Sequence, residues 1–163
     1  MAVRDILLVI SLYRMILCEI GDDSAMTTEE YLIARTKPNW KFWNSIPMDS
    51  FDYVNKIHPL KQKIVKEIVD AAKEDSYVNR LIIFGSSIRY DCNVTSDLDI
   101  CIDWTESCSD EDGVLKPFTR HMYSIITKVT HGNVDVVPYE FLDNMLIKDA
   151  VLQGVTVYER HVF

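Results

Sequence analysis

Three aspartates and one turn of small residues carry the chemistry this sequence could perform. Asp97 and Asp99 flank a single leucine in the alternating run Asp97-Leu98-Asp99-Ile100-Cys101-Ile102-Asp103-Trp104. On a β-strand, residues two apart project from the same face, so Asp97 and Asp99 converge on one patch. Two like charges held together raise the energy of a fold unless a cation neutralises them. A donor set made only of oxygens suits Mg2+ or Mn2+, which keep some waters and bind substrate phosphates. A third acid, Asp135, stands in a second alternating run, Val134-Asp135-Val136. If that strand pairs beside the first, Asp135 points into the same patch. Three carboxylates could hold two divalent ions, which stabilise the attacking and leaving oxygens of an in-line phosphoryl displacement. Asp135 is also the candidate base for the attacking hydroxyl.

Upstream, an apolar run ends in Gly85-Ser86-Ser87, and ten residues separate Ser86 from Asp97. Gly85 lets the backbone approach a ligand closely. The N–H groups that follow open a helical turn, and a helix start favours anions. Ser86 adds a hydroxyl donor, Ser87 belongs to the same phosphate-binding turn, and Arg89 could neutralise a phosphate oxygen. In this reading the turn holds a triphosphate and the strand acids hold the metal that bridges it.

The elements that must position these residues follow from periodicity. Ile57, Leu60, Ile64, Val65, Ile68, Val69 and Ala72 predict a helix over 57–75, with Pro59 in its first turn and Lys61, Lys63, Lys66 and Lys73 mostly off the apolar stripe. Strands are expected at 80–84, 97–104, 134–137 and 155–158. A short helical turn is expected through 86–90. Further helices are expected at 114–130 and at 139–152, the latter with Phe141, Leu142, Met145, Ile147, Ala150 and Val151 mostly inward. Asp103 is expected in solvent at its strand end, and the acidic loop 105–113 is expected to be solvated. Residues 2–20 read as an amphipathic helix and 27–35 as a short capped one, with Met26 an alternative natural start. Residues 36–55, with Trp40, Phe42 and Trp43, read as an irregular arm covering part of the core. The order of elements predicts an α/β (α+β) chain, a mixed sheet with helices packed on one face. The expected domains are an N-terminal helical and irregular extension, 1–56, and a catalytic-type domain, 57–163.

Bulk properties narrow the function. The chain has 163 residues, enough for one domain with a core, and its net charge of −8 argues against a large nonspecific nucleic-acid surface. The run from Ile6 to Tyr13 is far short of the ~20 apolar residues a membrane span needs. Cys18, Cys92, Cys101 and Cys108 form no C-x-x-C pair; they read as free thiols of a cytoplasmic protein.

Gly85-Ser86, ten residues, then Asp97-x-Asp99, with Asp135 as third acid, resembles the signature of the polymerase-beta-type nucleotidyltransferase superfamily. The tail, Asp135-Val136-Val137-Pro138 and Gly154-Val155-Thr156-Val157-Tyr158-Glu159, is similar to its minimal nucleotidyltransferase (MNT) branch. The resemblance covers residues 57–160. It implies a nucleotidyltransferase (polymerase-beta-like) fold, with helices on one face and the active site on the other. It also implies Mg2+- or Mn2+-dependent transfer of a nucleoside monophosphate, expected to be AMP from ATP, to an acceptor hydroxyl. Asp97, Asp99 and Asp135 are then the metal acids, and Gly85, Ser86, Ser87 and Arg89 the nucleotide-binding residues. Residues 1–56 do not resemble the acceptor-binding helical domain of many such enzymes. The expected acceptor is therefore a partner protein, by analogy with MNT antitoxins that adenylylate a HEPN-type helical toxin. Two alternatives stand beside this reading. One is a non-catalytic antitoxin or binding module that keeps the fold; the other is an enzyme that nucleotidylates a small molecule such as an antibiotic.

Overall fold

Four short apolar runs build the sheet: β1 (Val78–Phe84), β2 (Leu98–Trp104), β3 (Val134–Pro138) and β4 (Val155–Glu159). Their spatial order is β3-β2-β1-β4. β1 pairs antiparallel with both β2 and β4, while β2 and β3 run parallel, so the sheet is mixed as expected. The structure is a computed structural model, and it describes residues 41–161. The helices expected at 2–20 and 27–35, the alternative start at Met26, and Trp40 lie outside the described residues.

Two long helices cover one face. α1 (Pro59–Glu74) begins with proline in its first turn, where no N–H is needed, and the His58 side chain accepts from the Leu60 N–H at 3.3 Å. α2 (Pro117–Val129) also starts on proline, and the chain leaves it through His131 and Gly132, both at positive φ. Val65, Ile68, Val69 and Ala72 of α1 and Met122 and Ile126 of α2 pack against Leu81, Ile83, Leu98, Ile100 and Ile102 of the sheet. Each of these side chains larger than alanine contributes roughly 1.5–3 kcal/mol by leaving water. Residues 41–56 add Phe51 and Val54 to this core. Phe42 is also buried, and its ring meets His58 edge-on, whereas Trp43 is half exposed.

The second face is not bare. Ile82, Phe84, Cys101 and Val137 form a smaller apolar cluster with Leu142 and Val151. The segment expected as one helix over 139–152 is instead a 3-10 stretch, Tyr139–Asn144, then extended backbone at Met145, then a short helix α3 (Lys148–Leu152). Asp143 and Asn144, which favour turns over helix interiors, sit at the break. As a result Phe141, Met145 and Ala150, expected inward, are exposed, and Leu142 and Val151 do the packing. α1 departs in a similar way: Leu60 is exposed, while Lys61 and Gln62 are buried. Among the described residues, no helix is long and apolar enough to cross a membrane.

Candidate active site

The odd-numbered residues of β2 face the second side of the sheet, and Asp99 is the first of them. The β2–β3 register sets Asp99 directly opposite Asp135. Neighbouring strands lie about 4.8 Å apart, so two carboxylates share one edge of this face. On the other flank Asp99 pairs with Phe84, the last residue of β1, and the chain turns at Gly85 immediately after. Gly85 has φ +65, and a Cβ placed on it would stand 2.1 Å from Asp99 Oδ2. Only glycine leaves space for that carboxylate and accepts that backbone without strain.

Gly85–Ile88 is a 3-10 turn. Its Ser86 backbone N–H lies near enough to the Asp99 carboxylate to favour the charged form. Burial pushes the Asp99 carboxyl above the usual range, and Asp135 and Asp97 push it the same way; the Ser86 N–H and Arg89 oppose them. Asp97 lies one residue before β2, with its side chain exposed. Asp135 is exposed as well.

The sequence-predicted residues do not all play equivalent parts. Gly85, Ser86, Asp99 and Asp135 come together around one point, with Asp97 and Arg89 close enough to act on Asp99 electrostatically. Ser87 is fully buried, and its hydroxyl donates to the Asp97 carbonyl at 3.5 Å, so it ties the turn to the acid strand. Arg89 pairs with Asp91 at 3.1 Å at the surface. Among the described residues, no three His, Cys, Asp or Glu side chains stand as a ready-formed cage for an ion. The chemistry of the donor set nevertheless fits a hard divalent cation: every donor is a carboxylate oxygen, and a cation would relieve the field that disfavours the charged form of Asp99.

Asp103, expected in solvent, is half-buried. It accepts from Asn79 Nδ2 at 2.9 Å and pairs with Arg80 at 3.3 Å, and the Arg80 guanidinium lies over the Tyr139 ring. Cys101, between Asp99 and Asp103 on the same face, is buried, and burial with the nearby Asp103 pushes its thiol up to about 12, which makes it an inert neighbour. Lys61, expected off the apolar stripe of its helix, is instead buried, and its ammonium donates to the Ser96 carbonyl just before Asp97. The signal was present: Lys61 falls four residues from both Ile57 and Val65, on the stripe that faces the core.

The structure thus sets acids from two neighbouring strands of a mixed sheet beside a Gly-Ser turn. The family described as Polymerase beta, Nucleotidyltransferase matches residues 66–162. The chain belongs to that family. A candidate nucleotidyltransferase from Sulfolobus solfataricus, known from a crystal structure, is 30% identical; the match covers 60% of this chain and 79% of that one, with a TM-score of 0.38. No curated protein matches the sequence.

Proposed function

We propose that this chain is a metal-dependent nucleotidyltransferase that moves a nucleoside monophosphate from an NTP, with ATP expected, to an acceptor hydroxyl on a partner protein. The observation that carries the reading is the meeting of Asp99, Asp135 and the Gly85-Ser86 turn at one point of the sheet. Asp97, Asp99 and Asp135 would hold Mg2+ or Mn2+. Such an ion, when bound, neutralises the triphosphate and the charge that develops at the α-phosphorus. The N–H groups of the Gly85–Ile88 turn would orient the phosphates, and Arg89 can swing from Asp91 toward them. Asp135 would accept the proton of the attacking hydroxyl. The new oxygen–phosphorus bond forms at the α-phosphorus as the bond to the leaving pyrophosphate breaks.

The partner-protein acceptor, of the HEPN type in an MNT-like pair, is supported by an apolar surface on the 139–152 segment. Leu146 is fully exposed there, and Phe141, Met145 and Leu152 of the same segment are exposed as well. The same surface favours a second reading, a non-catalytic module that acts through contact alone. Incubation with NTPs labelled at the α-phosphate, in Mg2+ and with cell extract, separates the two. Transfer of label by the wild type and its loss in Asp135→Asn, with NTP binding retained, supports the enzyme. NTP binding with label that never leaves the nucleotide would overturn catalysis and leave the contact module.

A further inference from the structure

The phosphate-binding turn and the acid strand are joined by residues 86–97, and both ends of that connection are held from the first turn of α1. At the turn end, the His58 N–H donates to the Ser87 carbonyl at 2.8 Å. At the acid end, the Lys61 ammonium donates to the Ser96 carbonyl. Lys61 is only 6% exposed, and none of the ion pairs among the described residues includes it. A buried ammonium whose partner is a neutral carbonyl is a poor way to stabilise a fold. Its desolvation cost exceeds what one hydrogen bond returns, and an apolar side chain of similar shape is often as good or better.

What Lys61 does is local. The Ser96 carbonyl shares a rigid peptide plane with the Asp97 N–H. On the other side of Asp97, its own carbonyl accepts from Ser87 Oγ at 3.5 Å, and the Leu98 N–H donates to the Asn133 carbonyl at 3.0 Å. The peptides on both sides of Asp97 are therefore pinned, although its carboxylate is exposed. Fixed backbone on each flank leaves that side chain its rotamers and little else.

We propose that Lys61 is a positioning residue for the acid patch: from within α1 it fixes the peptide before Asp97 and so aims that carboxylate at the point shared by Asp99 and Asp135. The proposal rests on the nucleotidyltransferase reading and assigns Lys61 a part in it.

Lys61→Met keeps the bulk and removes the donor. Mn2+-dependent binding of a non-hydrolysable ATP analogue should weaken by about tenfold or more, as for other groups that orient metal ligands. The melting temperature should hold or rise, because a buried charge has gone. Lys61→Arg keeps a donor and should recover part of the affinity; it also stands in should the methionine variant fail to fold. Val69→Ala, in the same helix but in the core, should lower the melting temperature with affinity unchanged, which separates positioning from general loosening. Independently of any ligand, the Leu98 amide, which donates to the Asn133 carbonyl, should exchange with solvent about tenfold faster in Lys61→Met. Wild-type affinity in that variant, or unchanged exchange at that amide, overturns the proposal. Failure of the wild type to bind the analogue overturns the functional reading instead, and amide exchange alone then decides the part played by Lys61.

Discussion

Replacing Gly85 with alanine tests the geometry on which the site depends. The backbone at φ +65 costs a residue with a Cβ about 1–2 kcal/mol. The added carbon would also meet Asp99 Oδ2 at 2.1 Å and Cγ at 2.8 Å, so the carboxylate must leave its place. Displacing a side chain from its rotamer costs about 0.5–1.5 kcal/mol. Together these give about 1.5–3.5 kcal/mol, or a fall of about 3–14 °C in melting temperature for a domain of this size. A double-mutant cycle isolates the second part. In an Asp99→Ala background Oδ2 and Cγ are gone and only the Cβ contact at 3.2 Å remains, so Gly85→Ala should cost little beyond the backbone strain. The two substitutions should therefore couple by about 1 kcal/mol, measured by denaturant unfolding. Additivity within about 0.3 kcal/mol would refute the contact between Gly85 and Asp99. The absence of any cost in the single variant would refute the left-handed turn as well.

Asp99→Asn should stabilise the protein in a pH-dependent way. The folded state holds the Asp99 proton more tightly than the unfolded chain does, so this group's contribution falls as pH rises from the ordinary carboxylate range through the raised value. The melting temperature of the variant should exceed that of the wild type at neutral pH, and the gap should close in acid; a gap independent of pH would contradict the raised value. Gln62 is fully buried, accepts from the Ser45 N–H at 2.7 Å and donates to the Trp43 and Ile57 carbonyls at 3.0 and 2.9 Å. Gln62→Leu should therefore cost about 3 kcal/mol in chemical denaturation, since each orphaned buried group costs roughly 1–3 kcal/mol. Gly154→Ala would place a Cβ 2.6 Å from Ile82 Cγ2 and 2.9 Å from the Ile83 carbonyl; it should destabilise by about 1–3 kcal/mol in thermal melts without changing ligand affinity.

Much of the candidate site was legible in the sequence because its parts are short and local in pattern. Alternation sets Asp99 on the second face of β2, and the strand register brings Asp135 opposite it, while Asp97 falls one residue before the strand. The same rule located the core of β1 and β2. What escaped was decided by tertiary contact. A lysine on a helix is ordinarily solvated, yet the spacing of Lys61 from Ile57 and Val65 turns it inward, and it is buried. Asp103 looked like a strand end in solvent, but Arg80 and Asn79 on the antiparallel neighbour reach it. Residues 139–152 have enough apolar side chains for one helix, yet the chain breaks near Asp143 and Met145. Two short pieces then cover the second face of the sheet, where a continuous helix was expected. Local propensity at two or three residues outweighed the periodicity of the whole segment.

The central claim is that the aspartates and the Gly-Ser turn form a metal–nucleotide site. Its most direct test is calorimetric binding of a non-hydrolysable ATP analogue, with and without Mg2+, to the wild type and to Asp97→Asn/Asp99→Asn. The account predicts binding that requires the metal and disappears in the double variant while the fold is retained. A well-folded wild type that binds no analogue in Mg2+ or Mn2+, or a double variant that binds as tightly as the wild type, would contradict it.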